Sequence, residues 1–411
     1  MGNTDGGSRS EAGRGGQPSS RKPPVAVPDE ARVVVAGGGI IGLSVAFELA
    51  RRQVQVLVLE RDEVGASAAA VASAGMLAPV SEAEHEDPEL LRLALDSVQR
   101  TPAFVESVRE ASGIDCPLGR DGTLLVALTQ DDVQELFRLA RFQERLGLHP
   151  AWLEAPAVRE REPQLSPRVL GALHCPHDYQ LEPRSLLAGL HRGVEALGGR
   201  VATRARVTAF TTREGRLSEV EGIQAADGGE QPFSVRCEAA VLACGAWSST
   251  GLAWPAEPLG IRPVKGQVVR LKGPRLLGHV VRTPQVYLVP RAGGELVVGA
   301  TVEERGFDAA VTAGAVMDLL WNAWRVLPAL YDLEVAEVSV GFRPASRDHR
   351  PLVGPTGIPG LYVATGHFRH GILLAASTAA LLADLIARGE SSPLLQPFWP
   401  SRQVQGAPGH G

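Results

Sequence analysis

A glycine-rich turn between two apolar segments is the feature that most limits the fold of this chain. The turn, Gly-Gly-Gly-Ile-Ile-Gly at 37–42, follows an apolar strand pattern and opens a helical pattern, and a second strand pattern ends at Glu60. Gly37 suits a tight turn, Gly39 lets backbone approach a pyrophosphate, and Gly42 permits close packing of helix on strand. Glu60 can accept hydrogen bonds from a ribose hydroxyl. The segment therefore predicts a βαβ unit that binds the adenosine end of a dinucleotide, with the phosphates at the helix N-terminus.

Charge and cysteine content argue against several classes of function. The chain has 41 Lys and Arg against 46 Asp and Glu, a net charge of −5, and no basic stripe. Nucleic-acid-binding proteins carry a concentrated positive surface, so we do not expect a nucleic acid as partner. The four cysteines are scattered without metal-ligand spacing. We interpret them as reduced thiols, and we expect neither disulfides nor a metal site.

No segment predicts a membrane span or a secretory signal. The longest apolar run, Ile372 to Ala383, is shorter than the ~18 residues that a spanning helix requires. Residues 1–29 are rich in Gly, Ser, Arg and Pro and lack an apolar core, which predicts a disordered N-terminal extension. We expect a cytoplasmic protein, and the sequence leaves a homo-oligomer open.

The remaining residues alternate between helical and strand patterns, and at 411 residues two cores are expected. The predicted elements are helices over 88–145 interrupted by a strand near 122–128, a helix over 186–197, strands over 200–207 and 239–243, β-rich segments at 267–271, 286–289 and 296–300, a helix over 311–327, a strand over 361–365 and a helix over 371–387. We assign 30–87, 176–261 and 341–390 to a Rossmann-like dinucleotide domain, 88–175 and 262–340 to a substrate domain, and 391–411 to a C-terminal tail. The predicted class is α/β, with the Rossmann-like domain interleaved with an antiparallel-sheet α+β domain.

The opening motif suits NAD and FAD equally, and two further features favour FAD. Residues 65–79 are mostly small, which suits backbone that runs beside a flat ring. The last strand and helix return to the first domain, which suits a long cofactor held at both ends. The strand over 239–243 also continues into Gly245 and Trp247, a small-residue turn at the sheet crevice.

Motifs in one consistent order over residues 31–388 resemble the glycine/D-amino-acid oxidase family of flavoenzymes. They are the opening turn, ASAGML at 72–77, VKGQ at 264–267, YLVPR at 287–291, LVVGAT at 296–301, GFRP at 341–344 and GHFRHGILLA at 366–375. Bacterial glycine oxidases of thiamine biosynthesis are the most similar branch. The resemblance implies a glutathione-reductase-type FAD domain whose cofactor contacts Gly37, Gly39, Ile40, Ile41, Gly42, Glu60, Arg61, Ser73, Ala74, Gly75, Met76, Leu181, Gly245, Trp247, Gly366, His367, Arg369, His370, Gly371 and Ile372.

The resemblance also assigns the substrate carboxylate to Arg343 and Tyr287. A planar guanidinium makes two parallel charge-assisted hydrogen bonds to a carboxylate, which lysine cannot reproduce. We prefer these roles to the alternatives, which are a surface arginine in an ion pair for Arg343 and a core tyrosine for Tyr287. Gly371 is predicted to begin a helix whose N-terminus stabilises negative charge on the reduced flavin. His367 and His370 are interpreted as loop histidines rather than bases.

Two positions depart from the family pattern. Val302 and Gln285 stand where glycine oxidases of this family have a methionine and a histidine near the substrate. A smaller Val302 would widen the pocket, and pocket methylenes discriminate by only ~1–3 kcal/mol. The C-terminal flavin segment contains no cysteine, so we expect FAD to be bound non-covalently.

The resemblance implies oxidative deamination of glycine, a small amine or a D-amino acid. The products would be an oxo acid, ammonia and hydrogen peroxide, with dioxygen as the acceptor and thiazole synthesis for thiamine as the destination. One alternative is a D-amino-acid or glycine dehydrogenase that passes electrons to a quinone or a partner subunit. A flavin module of tRNA modification is a third alternative, which the net charge disfavours.

Overall fold

The computed structural model describes residues 25–82, 87–226 and 229–402. Its helices are α1 (Ile40–Arg51), α2 (Pro88–Ser112), α3 (Gln130–Arg145), α4 (Ala155–Arg161), α5 (Pro183–Ala196), α6 (Ala313–Val326) and α7 (Ala375–Arg388). Its strands are β1 (Glu30–Ala36), β2 (Val56–Leu59), β3 (Met76–Leu77), β4 (Leu118–Gly119), β5 (Thr123–Ala127), β6 (Ala151–Glu154), β7 (Gly171–Cys175), β8 (Tyr179–Leu181), β9 (Arg200–Ala202), β10 (Ala205–Arg213), β11 (Arg216–Ala226), β12 (Gly229–Leu242), β13 (Arg262–Lys272), β14 (Val280–Arg282), β15 (Tyr287–Pro290), β16 (Glu295–Gly299), β17 (Glu334–Ala345), β18 (Leu352–Pro355) and β19 (Leu361–Thr365). Most of the predicted N-terminal extension, residues 1–24, lies outside the described residues, as do residues 403–411.

The first sheet is built around the glycine-rich segment. Strand β1 is parallel to its neighbours β2 and β12, β9 follows β2, and β19 follows β12. The long strand β12 begins in an antiparallel meander with β10 and β11 and ends inside the parallel part of the sheet. One apolar cluster packs α1, α2, α5 and α7 on one face. The carboxyl ends of β1, β2 and β12 therefore meet at one edge, where α/β folds bind nucleotides.

The second sheet has the order β17-β13-β16-β15-β14-β5-β7-β6, and only the β14–β5 pair is parallel. Alternation along β13 sends Val269 to the face covered by α6 and Val268 to the opposite face. A third, small antiparallel sheet has the order β3-β8-β4. The predicted class, a Rossmann-like α/β unit interleaved with an antiparallel α+β unit, is confirmed. None of the described helices has the length and apolarity needed to cross a membrane.

Several predicted elements have different bounds in the structure, and two of these differences have a cause in the backbone. The single strand predicted over 200–207 is divided into β9 and β10, because Arg204 between them has a φ of +54°. The helix predicted from Gly371 begins regularly only at Ala375. The residues before it are held in turns, with Phe368 at a φ of +47° and its N–H donated to the carbonyl of Pro344.

Three segments show how closely the two units interleave. Helix α2, in the segment predicted for the substrate domain, packs on the first sheet's helices, with Phe104 edge-on to Phe47 of α1. Strand β17 stays in the second sheet to Ala345, past the boundary predicted at 341. Leu395 and Phe398, in the predicted tail, are buried in the cluster that packs the first sheet. The division into domains stays a prediction.

Candidate active site

A cavity of about 450 Å³ lies between the two large sheets. This volume is within the range of about 300–1,000 Å³ that small-molecule sites occupy. Among the residues that line the cavity are Gly37, Gly39, Ile40, Ile41, Glu60, Arg61, Ser73, Ala74, Gly75, Met76, Gly245, Trp247, Tyr287, Arg343, His367, Arg369, Gly371 and Ile372. The fold therefore brings together eighteen of the predicted site residues, although they are far apart in sequence.

Three of the four glycines in the opening turn, Gly37, Gly39 and Gly42, have different surroundings. Gly37 has a φ of +111°, and a Cβ there would lie 2.4 Å from the carbonyl oxygen of Ala243. A Cβ on Gly42 would lie 2.0 Å from the carbonyl oxygen of Gly37, so the helix packs directly on the turn. A Cβ on Gly39 would meet no atom within 4 Å, because that position faces the open cavity. The turn therefore leaves space for a ligand beside Gly39.

Glu60 and Arg61 follow β2 at the same end of the cavity. The Glu60 carboxylate accepts hydrogen bonds from the backbone N–H groups of Gly38, at 2.6 Å, and Asp62, at 3.0 Å. Burial raises the pKa of Glu60, and these two hydrogen bonds oppose that rise. Arg61 lies over the indole of Trp247, 3.8 Å from the ring centroid, and both side chains line the cavity.

The residues present fit FAD. The space beside Gly39 lies at the start of α1, where the free N–H groups of a helix N-terminus can bind a phosphate. The cavity extends from Glu60 to a second charged end at Arg343 in the other sheet, and small residues, Ala72 to Gly75, line the stretch between them. A long dinucleotide with a flat ring at one end matches this shape.

Arg343 of β17 lies over Gly266 at the substrate-sheet end of the cavity. A Cβ on Gly266 would lie 2.5 Å from Nη1 of Arg343, so only glycine leaves room for the guanidinium. Nη1 donates to the carbonyls of Thr301, at 3.0 Å, and Lys265, at 3.4 Å. Burial lowers the pKa of Arg343, and the neighbouring Tyr287 opposes that shift. An arginine keeps its charge even so, and its remaining donors suit an anionic ligand.

Tyr287 of β15 is the neighbour of Arg343 in this end of the cavity. A Cβ on Gly299 would lie 2.5 Å from the Tyr287 ring. Gly299 therefore leaves room for Tyr287, as Gly266 does for Arg343. Burial raises the pKa of the Tyr287 hydroxyl, and the Arg343 charge opposes that rise. The hydroxyl therefore stays protonated at neutral pH and can donate a hydrogen bond to a carboxylate.

Glu82 is a cavity residue that the sequence analysis missed. Its carboxylate lies 3.2 Å from Nη1 of Arg282 and 3.5 Å from Nδ1 of His370. Burial disfavours its ionised form, but the charges of Arg282, His370, Arg369 and Arg343 outweigh that effect and lower the pKa of Glu82. The one available sequence signal was that Glu82 is the first acidic residue after the 65–79 loop.

Five predicted site residues do not line the cavity. Val302 follows the end of β16, is 61% exposed and does not line the cavity. Gln285, discussed with it, is also exposed. Leu181 is buried in the helical core, and only its backbone reaches the site, through its N–H to the carbonyl of Gly75 at 3.0 Å. Neither residue lines the cavity, so the cavity gives no support to the expected contacts of Val302 with substrate and of Leu181 with cofactor, which stay predictions.

The other three residues lie just behind the cavity wall. His370 faces Glu82 and a separate small cavity of about 30 Å³. Gly366 has a φ of +74°, and a Cβ there would point at Ile261 and the backbone of β18. Gly42, described above, packs α1 on the turn. These three residues support the wall of the cavity but do not line it.

His367 lines the cavity as a buried, neutral imidazole. Its Nε2 lies 3.1 Å from Oγ1 of Thr378, and burial lowers its pKa to about 3 from an ordinary value of 6.5. Between these two values the unfolded chain binds a proton that the folded chain does not. The stability of the folded chain should therefore fall as the pH falls through this window.

We expect His367→Gln to remove this pH dependence from the apoprotein. Between about pH 7 and about pH 5 the wild-type chain should lose about 2 kcal/mol of unfolding free energy through this one group. Urea denaturation at the two pH values measures the loss in each protein. The loss in the variant should be smaller by that amount, and an equal loss in both proteins would contradict the neutral buried state.

The family model, the related sequences and the related structures all indicate the same family. A family model described as FAD dependent oxidoreductase, DAO, matches residues 32–385. Glycine oxidase from Geobacillus kaustophilus is 35% identical over 90% of this chain and 97% of that protein. The crystal structure of glycine oxidase from Geobacillus kaustophilus superposes with a TM-score of 0.82 at 34% identity, covering 91% of this chain and 99% of that one.

Two other relatives carry different names. The bifunctional protein ThiO/ThiG of a Nostoc species is 36% identical over 91% of this chain, which spans 55% of that protein. The hydrogen cyanide synthase subunit HcnC of Pseudomonas aeruginosa is 30% identical over 90% of this chain and 95% of that protein. The family model matches most of the chain, and the glycine-rich turn and cavity fit the cofactor. This chain therefore belongs to the DAO family of FAD-dependent oxidoreductases.

Proposed function

We propose that this protein catalyses the oxidative deamination of glycine or a similarly small amino acid. Overall, glycine, water and dioxygen would give glyoxylate, ammonia and hydrogen peroxide. The observation that carries the proposal is the pair of Arg343 and Tyr287 at one end of the cavity, because a guanidinium and a phenol hydroxyl together match a carboxylate. Similarity to glycine oxidase over nearly the full length of both chains supports it.

The chain's own residues would bind and orient the substrate. Nη1 of Arg343 donates to the carbonyls of Thr301 and Lys265, which fixes the guanidinium. Its remaining N–H groups would donate to the substrate carboxylate. Tyr287 would donate its hydroxyl hydrogen to the same group. Bound FAD supplies the redox chemistry by accepting two electrons and a proton from the substrate carbon. Fixing the carboxylate orients the Cα–H bond, which lowers the entropic part of the barrier.

Charge balance at this end favours a substrate that carries a carboxylate. Arg282, Arg343 and Arg369 surround the site, and Glu82 is the acidic residue among them whose pKa they lower. An incoming carboxylate adds the negative charge that this cluster still lacks. Since Val302 lies outside the cavity, the width of the pocket is set by the residues around Tyr287, including Met76 and Val268.

A substrate panel tests the proposal. Glycine, sarcosine, D-alanine and D-proline should be offered to the purified FAD-loaded protein, and hydrogen peroxide measured with a peroxidase-coupled dye. We expect peroxide from glycine at a rate above that from the bulkier D-proline. Absence of peroxide and of flavin bleaching with all four compounds would refute the proposed reaction.

A second candidate is a dehydrogenase that passes electrons to a quinone or a partner subunit. Similarity to a hydrogen cyanide synthase subunit favours it. The two candidates share substrate binding and differ in the electron acceptor. Anaerobically reduced protein should be mixed with air-saturated buffer or with a quinone analogue: fast reoxidation by air supports the oxidase, whereas fast reoxidation by the quinone alone supports the dehydrogenase.

We further propose that the product serves thiazole synthesis for thiamine. The support is similarity to a ThiO/ThiG protein, of which this chain matches about half. If so, expression of the chain should restore growth of a bacterium that lacks its glycine-oxidising step for thiazole. Restoration by the wild type and not by an Arg343→Ala variant would link the growth to catalysis.

A further inference from the structure

Three arginines from separate parts of the chain converge on the backbone of residues 71–76, called here the ring loop, of which residues 72–76 line the cavity. They are Arg184 of α5, Arg270 of β13 and Arg291 directly after β15. Each donates to backbone carbonyls of residues 71–74. Buried backbone carbonyls need hydrogen-bond partners, and here arginine side chains donate to the carbonyls of Val71, Ser73 and Ala74.

Arg270 makes the most buried of these contacts. Its side chain is 1% exposed, Nη2 donates to the carbonyls of Val71, at 3.3 Å, and Ser73, at 3.2 Å, and Nη1 binds Glu295 at 2.6 Å. A guanidinium has five donors in one plane, so it can bridge two carbonyls and a carboxylate at once. Glu295 compensates the buried charge, which would otherwise be costly.

Arg184 and Arg291 hold the two ends of the same backbone stretch. Nε of Arg184 donates to the carbonyl of Val71 at 3.1 Å, and its two terminal nitrogens bind Glu337. Arg291 donates to the carbonyl of Ala74 and to Gln180, and its Nε lies 3.1 Å from Glu182. Each arginine is thus neutralised by its own carboxylate. The network supplies hydrogen bonds and adds little net charge.

The ring loop needs external support because of its composition. Its residues at 72–75 are Ala, Ser, Ala and Gly, which offer few side-chain contacts of their own. Gly75 has a φ of +69°, and its carbonyl accepts from Leu181 on the far side. On the cavity side, Ala74 and Met76 belong to the apolar cluster that includes Tyr287. Any displacement of the loop would therefore alter the space next to the proposed substrate site.

We propose that Arg184, Arg270 and Arg291 are positioning residues that fix the ring loop against the FAD ring. Their hydrogen bonds to the carbonyls of residues 71–74 fix the position of the loop's backbone. The distance between this backbone and the Arg343–Tyr287 pair is thereby fixed as well. The consequence for substrate oxidation rests on the proposed function, whereas the consequence for FAD binding does not. A loop free to move would hold the ring less firmly and in more than one orientation.

A purely structural role for these ion pairs makes a different prediction, and Arg52 is the matched control. Arg52 is also a largely buried arginine, 16% exposed, that pairs with two carboxylates, Glu48 and Asp384, and donates to backbone carbonyls. It lies between α1 and α7 and does not line the cavity. If the arginines only stabilise the fold, variants at Arg52 and Arg270 should behave alike toward FAD.

The test compares Arg270→Met, Arg270→Lys, Arg184→Gln and Arg52→Met. Apoprotein of each is titrated with FAD to obtain Kd, and the visible circular dichroism of bound FAD reports the surroundings of the ring. We expect Arg270→Met to raise Kd at least tenfold and to change the visible spectrum. Arg270→Lys should recover part of both effects, and Arg184→Gln should act in the same direction by a few-fold. Arg52→Met should lower the melting temperature but leave Kd and spectrum at wild-type values.

Arg184 is 36% exposed in its side chain, so Arg184→Gln should fold even if Arg270→Met does not. The proposal is overturned if folded variants at Arg270 or Arg184 keep the wild-type Kd and spectrum, or if Arg52→Met changes them equally. A failure of glycine to reduce wild-type protein would refute the proposed substrate while leaving these readouts intact. Where glycine does reduce the flavin, Arg270→Met should slow that reduction at least tenfold.

Discussion

Replacement of Arg343 by alanine is expected to lower kcat/KM for the amino-acid substrate by roughly 30- to 4,000-fold, while the purified protein keeps its FAD. The range follows from the cost of about 2–5 kcal/mol for removing one partner of a buried, hydrogen-bonded charge pair, at about 1.4 kcal/mol per tenfold change. Steady-state peroxide production with glycine measures the rate, and the flavin absorbance of the purified variant measures cofactor content.

Two further variants show whether this loss comes from carboxylate recognition. Arg343→Lys keeps a positive charge but not the planar pair of donors, so it should recover only part of the activity. Arg347, four residues further along the chain, is exposed and does not line the cavity, so Arg347→Ala should retain wild-type kcat/KM. Wild-type activity in Arg343→Ala would show that the substrate carboxylate binds elsewhere.

Replacement of Gly42 by alanine is the second change with a large expected effect. The new Cβ would lie 2.0 Å from the carbonyl oxygen of Gly37, so α1 must move away from the turn. Overpacking of this kind costs about 1–3 kcal/mol or more. We expect the apoprotein to lose at least that much unfolding free energy in urea, and the Kd for FAD to rise more than tenfold because the phosphate-facing N–H groups move with the helix.

Gly39→Ala provides the matched control within the same turn. Gly39 has a φ of −75°, which alanine adopts readily, and its Cβ would meet no protein atom within 4 Å. The apoprotein should therefore keep its unfolding free energy, whereas FAD binding should weaken because the methyl group occupies space that the cofactor needs. Wild-type stability in Gly42→Ala, or wild-type FAD affinity in Gly39→Ala, would contradict the assignment of this turn.

Local patterns predicted the elements around the cofactor well. The turn at 37–42, the strand that ends before Cys244 and the hairpin around Gly293 and Gly294 each depend on residues adjacent in the chain. At two places where the predicted bounds of an element failed, the cause was the backbone conformation of one residue. Arg204 and Phe368 both adopt positive φ, which is uncommon for residues with a side chain and cannot be read from composition.

The sequence predicted some of the side chains that line the cavity and missed others. Arg343 and Tyr287 came from family motifs, and the structure places both in the cavity. Val302 and Leu181 came from the same source but do not line the cavity, because Val302 lies exposed beyond the end of β16 and Leu181 is buried in the helical core. Glu82 had no motif at all, and its role depends on cations that arrive from other elements.

The sequence by itself determined the βαβ unit, the order of the elements and the chemistry that the motifs imply. These features depend on local conformational preference and on hydrophobic periodicity, which neighbouring residues encode. Only the tertiary structure decided which side chains meet. Arg270 reaches Ser73 across 197 residues and Arg291 reaches Ala74 across 217, and such contacts depend on how the two sheets pack. Packing brings the glycine-rich turn and the Arg343–Tyr287 pair to opposite ends of one cavity, a relation between distant segments that no local pattern contains.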